Sequence, residues 1–147
     1  MNYDKPLLAA ALGIASTIPY EITTRVLLFI GMGKYSFYEL DSLIVSSNRP
    51  SEFLGFIVSS IVGGALAVIL YYATKKIGKD YLVLKGIAIS LLFGLILEVL
   101  FMATIEGKSI PLRPMSDYYT HAFGAVIFGI TLGILFKIFL FKKPIFN

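Results

Sequence analysis

Four long apolar segments, separated by short polar stretches, make up most of the chain. They run over about residues 7–32, 53–74, 82–104 and 117–141. A helix that crosses the hydrocarbon layer needs roughly 20 apolar residues, because that layer is about 30 Å thick and each helical residue rises about 1.5 Å. The pattern therefore predicts an all-α membrane protein in which four transmembrane helices form a bundle, within a single domain over residues 1–147.

A fifth, shorter helix is predicted between the first two spans. Ser36 and Glu39 stand at the spacing of a capping box, in which a hydroxyl and a carboxylate satisfy each other's backbone amides. Three apolar residues then fall on one helical face: Phe37, Leu40 and Ile44. We expect a short amphipathic helix here that lies in the interface. Ser116 is placed to cap the last long helix.

Composition agrees with a membrane location. Hydrophobic residues are 57% of the chain, and the mean hydropathy of +0.83 exceeds that of ordinary soluble domains. The absence of cysteine excludes disulfides, thiolate metal sites and cysteine nucleophiles. The first apolar segment is too long for a signal peptide and shows no small-residue cleavage site, so we expect it to be retained.

Positive residues are distributed unequally between the two sides of the predicted spans. One side carries eight of them: Lys5, Lys75, Lys76, Lys79, Lys85, Lys137, Lys142 and Lys143. The other side carries four: Lys34, Arg49, Lys108 and Arg113. The acids Glu39, Asp41, Glu52, Glu106 and Asp117 accompany that second group. Positive residues near spans stay in the cytoplasm, so we expect a multi-pass protein of the cytoplasmic membrane with both termini cytoplasmic. No basic stripe indicates nucleic acid as a partner.

Small residues recur every four positions on three of the spans. They are Gly55, Ser59 and Gly63; Gly86, Ser90 and Gly94; and Ala125, Gly129 and Gly133. Lipid supplies no hydrophobic force between helices, so close backbone approach at small residues drives their packing. We expect these stripes to face one another.

In the predicted orientation, five ionisable residues of the spans lie between mid-membrane and the outer side: Glu21, Arg25, Glu98, Asp117 and His121. Charges at membrane depth cost several kcal/mol unless they are paired or hydrated. Glu21 and Arg25 are four residues apart and can pair along their own helix. In the predicted orientation all five can meet at one outward-facing ligand-binding or ion-binding site. Whether this cluster serves function or only fixes the fold stays open at this stage.

Other site chemistries are not supported by the sequence. Carboxylates and imidazole are ligand types of zinc, iron and manganese, but two-metal helical bundles use Glu-x-x-His pairs, and none occurs here. Arg25 would also repel a cation. No nucleotide-binding loop or hydrolase motif is present. We therefore predict no metal, no cofactor and no catalytic residue.

The layout of the chain resembles small four-helix bacterial membrane proteins of unknown function. The resemblance runs from Leu7 to Phe141 and rests on an acid in the first span, a glycine-rich second span that ends in Tyr71-Tyr72, and a proline-bearing loop before a glycine-rich last span. It implies a protein of the bacterial cytoplasmic membrane. No functional residue comes with it.

Three functions remain open on the sequence. The first is binding or transport of a proton, a cation or a small polar solute by a homo-oligomer. The second is a non-catalytic subunit of a larger membrane complex. The third is an intramembrane enzyme that acts on a lipid or quinone, with Glu98 or His121 transferring the proton.

Overall fold

The computed structural model describes residues 4–142, and within them the chain is helical with no strand. Five α-helices follow one another: α1 (Lys5–Phe29), α2 (Phe37–Ser46), α3 (Glu52–Ile77), α4 (Leu82–Thr104) and α5 (Met115–Leu135). The last of these continues as a π-helical turn over Phe136–Leu140. Four of the helices are long and apolar enough to cross a membrane. The predicted all-α class and its four long apolar helices are confirmed.

The predicted helix ends are correct to within a few residues, and the largest differences have local causes. α1 ends at Phe29 because Gly31 adopts φ 87°, a left-handed conformation that suits glycine and stops the helix. α5 begins at Met115 with Pro114 at its N-cap, which places Ser116 inside the first turn. The expectation that Ser116 caps this helix was therefore wrong. Proline before the first turn needs no amide partner, and its extended backbone leads into the helix.

The long helices approach closely in pairs at small residues. A Cβ built on Gly13 of α1 would overlap the carbonyl of Gly63 in α3, and one built on Gly86 of α4 would overlap the carbonyl of Gly129 in α5. The Ser90 hydroxyl also donates to the carbonyl oxygen of Ala125, at 2.7 Å. These backbones can touch only because side chains are absent between them. α1 packs in addition against α5, which joins the two pairs.

The short helix α2 has the predicted capping box, and it packs in part against the long helices. Ser36 accepts the amide of Glu39, and the Glu39 carboxylate accepts the amide of Ser36. Its residues Leu40 and Leu43 are buried in a small core that includes side chains of α4 and of the loop after it. The Tyr38 carbonyl lies against Gly55 of α3. Leu40 and Leu43 are therefore covered by protein, whereas Ile44 of the same apolar face remains 46% exposed.

The outer surface of the described residues is strongly apolar, above all on α4. Only 17% of the apolar window in this helix is buried. Its exposed large side chains are Leu84, Leu91, Leu92, Leu95, Ile96, Val99, Leu100 and Met102. In water such a surface would be unfavourable by about 25 cal/mol for each Å² exposed.

The two ends of the molecule differ in charge. Where α3 ends, the Tyr71 ring lies 6.4 Å from that of Phe141, and the Lys79 ammonium lies 5.1 Å from the Phe141 ring. The lysine-rich ends of the long helices thus come together. Lys143, which the sequence assigns to the same side, lies outside the described residues. The opposite end holds α2, the loop after α4 and most of the acidic side chains.

Candidate functional site

A cleft opens between α2 and α3 on one side and α4 on the other, with α5 at its back. It leaves about 80 Å³ for the centres of water-sized molecules, is partly open to the surroundings, and has mostly apolar walls. Its polar lining residues are Tyr20, Asp41, Ser90, Glu98 and His121. Ser90 and Glu98 lie eight residues apart on α4, so the cleft extends over about 12 Å of helix. Glu98 lies at the end of the cleft near the acidic side chains, which we call the acidic end. Ser90 lies towards the other end.

A buried arginine, Arg113, organises the acidic end. Its side chain is fully shielded from solvent and forms ion pairs with Glu98, with Glu106 at 3.3 Å and with Asp117 at 2.8 Å. Burial alone would lower the pKa of Arg113, but the contacts with Glu98 and Asp117 raise it above its usual value. Three carboxylates thus share one guanidinium. When all are ionised, the group carries two negative charges in excess.

Aromatic rings and a hydroxyl complete this group. The guanidinium carbon of Arg113 lies 4.9 Å from the Phe101 ring centroid and 4.5 Å from that of Tyr118. The Tyr118 hydroxyl donates to Glu106. Burial raises the pKa of Glu106, but the hydrogen bonds from Tyr118 and from the Arg113 amide, together with the guanidinium charge, hold it below its usual value. Glu106 is therefore ionised and structural.

His121 lies beside this group with one ring nitrogen free. Its Nε2 is 3.1 Å from the carbonyl oxygen of Tyr35 and 3.7 Å from Asp117 Oδ2. A carbonyl can only accept, so Nε2 carries the proton in this hydrogen bond. Nδ1 is buried and has no hydrogen-bond partner within residues 4–142, and the residue is only 4% exposed. A neutral ring in this tautomer has an unused lone pair on Nδ1.

Asp41 of α2 is a buried carboxyl with a single side-chain partner. The Ser59 hydroxyl of α3 donates to its Oδ2 at 2.5 Å. Within the described part of the chain, neither a lysine nor an arginine forms an ion pair with Asp41. Burial raises its pKa to about 7, opposed by the hydrogen bond from Ser59 and assisted by the negative charges of Glu21 and Glu98. Asp41 therefore exchanges a proton near neutral pH.

Glu21 and Arg25 form a second group, nearer the surface. They pair along α1, and Arg25 also contacts Glu52 of α3 at 2.9 Å, with 45% of its side chain exposed. The other oxygen of Glu21 accepts the backbone amide of Tyr38 at 2.8 Å. Glu21 thus anchors the first turn of α2 where the free amides of a helix favour a negative charge.

The five predicted site residues are therefore divided. Glu98, Asp117 and His121 come together around Arg113, whereas Glu21 and Arg25 lie apart with Glu52. The expectation that all five meet at one site does not match this geometry. Glu98 has a partner of its own in Arg113, and Arg25 turns towards α3. The segment over residues 34–38, which leads into α2, links the two groups. Its backbone amides donate to both Asp117 and Glu21.

Sequence reasoning missed Arg113 and Asp41 as site residues. Arg113 stands four residues before Asp117, a spacing that allows an ion pair, but its position between Pro111 and Pro114 made it look like an ordinary loop charge. Asp41 follows Leu40 and precedes Ile44 on the apolar side of α2. An acidic residue on the apolar side of a helix was the sequence signal that could have identified Asp41 as a buried site residue.

The described residues do not indicate a metal centre. Over residues 4–142, no group of three or more histidine, cysteine, aspartate or glutamate side chains is arranged to hold a metal ion. The chain matches no family model, no curated protein and no solved structure.

Proposed function

We propose that this chain is a four-span membrane protein whose cleft binds a small amphipathic molecule. The apolar part of that molecule lies between α3 and α4, and its polar head lies at Asp41, Glu98 and His121. One observation carries the proposal: a mostly apolar cleft ends at buried polar groups that keep unused hydrogen-bonding capacity. Ligand sites commonly combine apolar walls with a few polar groups that fix orientation.

The membrane location rests on the outer surface and on charge. The exposed leucines of α4 suit lipid acyl chains, and the bundle would present them at membrane depth. The lysine-rich end suits the cytoplasmic side. This supports the proposal that both termini are cytoplasmic and that the acidic end of the cleft is towards the outside.

An amphipathic ligand fits this site better than a bare ion. An inorganic cation would need several oxygen ligands around it, whereas the walls of the cleft are largely apolar. Glu98 is already paired with Arg113, which makes it a poor mobile proton carrier. Asp41 has no ion-pair partner among the described residues and is the better candidate for a proton exchanged during binding or transport.

A second candidate function is assembly, either as a homo-oligomer or within a larger membrane complex. The observation in its favour is the low burial of α4, which leaves a long apolar face free for another helix. Chemical crosslinking through cysteines introduced at Leu95 would capture such a neighbour, since the chain has no cysteine of its own.

The binding proposal is tested with tritiated dodecanol and protein in phosphatidylcholine nanodiscs. Gly94 lines the cleft, and a Cβ built on it meets only Ala125, at 3.8 Å, so Gly94→Leu adds bulk inside the cleft. We expect wild type to retain more dodecanol than protein-free nanodiscs do, and Gly94→Leu to lose that excess. The matched control is Leu95→Ala, on the exposed face of α4. An excess that Gly94→Leu leaves intact, or no excess at all, would contradict the proposal.

A further inference from the structure

The donors that line the cleft are already used in fixed hydrogen bonds. The Tyr20 hydroxyl donates to the His121 carbonyl at 2.9 Å, and the Ser90 hydroxyl donates to the Ala125 carbonyl at 2.7 Å. The Nε2 proton of His121 is directed to the carbonyl of Tyr35. A bound molecule would therefore meet few free donors at the polar lining of this cleft.

The acceptors, in contrast, have capacity left. Nδ1 of His121 has no partner within the described residues. Asp41 accepts one side-chain hydrogen bond, from Ser59, although a carboxylate can accept about four. Glu98 shares Arg113 with two other carboxylates. The polar end of the cleft consequently offers lone pairs and negative charge.

An anionic head would be unfavourable at this end for the same reason. The guanidinium of Arg113, which pairs with Glu98 of the cleft lining, belongs to a side chain that is 0% exposed and enclosed by three carboxylates. A phosphate or carboxylate would find no uncompensated cation there and would face Asp41 and Glu98. Desolvating a like-charge pair costs several kcal/mol.

We infer that the head group taken by this site is a protonated amine, so that the ligand class is a long-chain alkylammonium. An ammonium group has three donors and no acceptor, which complements the carboxylates of Asp41 and Glu98 and the free Nδ1 of His121. Its charge offsets the excess of carboxylates. This inference rests on the proposed function, because it specifies the head group of the same amphipathic ligand.

The test compares three probes with the same chain length but different heads: dodecylamine, dodecanol and dodecanoate. Each is titrated into protein in phosphatidylcholine nanodiscs, and affinity is expressed per mole fraction of probe in the lipid, which removes differences in partition. Hydrogen bonds to charged groups are stronger than those between neutral groups, so the amine should bind about 10- to 100-fold more tightly than the alcohol. The carboxylate should bind most weakly.

Two variants assign the preference to the site. Asp41→Asn should remove most of the advantage of dodecylamine over dodecanol, measured as the ratio of the two affinities in the same variant. Leu95→Ala should change neither. Equal binding of the three probes by wild type, or a preference for dodecanoate, would overturn the inference while leaving the proposed function intact. Failure of all three probes to bind beyond protein-free nanodiscs would overturn both. The wild-type ranking decides the matter even if Asp41→Asn does not fold.

Discussion

The Tyr35 carbonyl oxygen lies 3.1 Å from Nε2 of His121, and this contact determines which nitrogen of the imidazole is left free. Tyr35 belongs to the loop before α2, whose position is fixed in turn by Asp117 through the amides of Lys34 and Tyr35. The free Nδ1 is therefore set by contacts made 82 to 86 residues away in sequence.

This relationship predicts the tautomer of His121. The protein labelled with ¹⁵N-histidine should show a protonated Nε2 and an unprotonated Nδ1, because the backbone carbonyl accepts only from a donor. The chain has a single histidine, so both ring signals belong to His121, and their couplings to the carbon-bound ring protons distinguish Nδ1 from Nε2. A protonated Nδ1 with a bare Nε2 would contradict the hydrogen bond to Tyr35.

Removal of Arg113 should strongly destabilise the fold. Arg113→Met leaves three buried or half-buried carboxylates without their shared cation, and breaking a buried pair from one side costs roughly 3–5 kcal/mol. The free energy of unfolding in detergent measures this loss. The control is Arg25→Met, whose exposed ion pairs should be worth less than about 1 kcal/mol. Similar losses in the two variants would show that Arg113 is not the centre of the cluster.

Asp41 should make stability fall as the pH rises towards neutrality. Its pKa is raised to about 7 in the folded state, from 3.8 for the free side chain. The folded state therefore binds more protons between these values, and stability that is complete below pH 4 is lost as the pH rises through 7, by up to about 4 kcal/mol. Glu21 and Glu98 are the charged groups that raise this pKa.

The pH dependence is checked by unfolding wild type and Asp41→Asn across the range from pH 4 to pH 8. The amide does not titrate, so the variant should lose the downward slope attributable to this residue. An unchanged slope would show that Asp41 is already ionised at low pH.

The glycines of the packing stripes should differ in their tolerance of a side chain. A Cβ on Gly129 would lie 2.5 Å from the Ile87 Cα, whereas one on Gly94 meets nothing closer than Ala125 at 3.8 Å. Gly129→Ala should therefore lower the melting temperature clearly, since α4 and α5 must move apart. Gly94→Ala should have little effect, and equal losses at the two positions would contradict the observed helix contacts.

The sequence predicted the features that depend on local pattern. Hydropathy located the four long helices, and the spacing of Ser36 and Glu39 located α2 with its capping box. The ion-pair partners of the charged residues depend on which distant segments of the chain come into contact. A local sequence pattern does not contain that information. Glu98 lies 15 residues from Arg113 along the chain, across a turn and one proline, Pro111. The burial of Leu40 and Leu43 in α2 likewise depends on how α3 and α4 pack against this helix.

The stripes illustrate the same limit. Both Gly94 and Gly129 belong to stripes of small residues that recur every four positions. Of these two, only Gly129 lies where two helices cross closely. Gly94 instead borders the cleft. A period identifies a face of a helix, and the contacts of that face depend on the neighbouring helices.

The central claim is that the acidic end of the cleft binds a donor head group, and the Nδ1 signal of His121 tests it most directly. Protein labelled with ¹⁵N-histidine in phosphatidylcholine nanodiscs is titrated with dodecylamine, with dodecanoate as the matched control. We predict a saturable shift of Nδ1 with the amine, none with dodecanoate, and none in Gly94→Leu. An Nδ1 signal that stays unchanged while dodecylamine is added to folded wild-type protein would contradict the account.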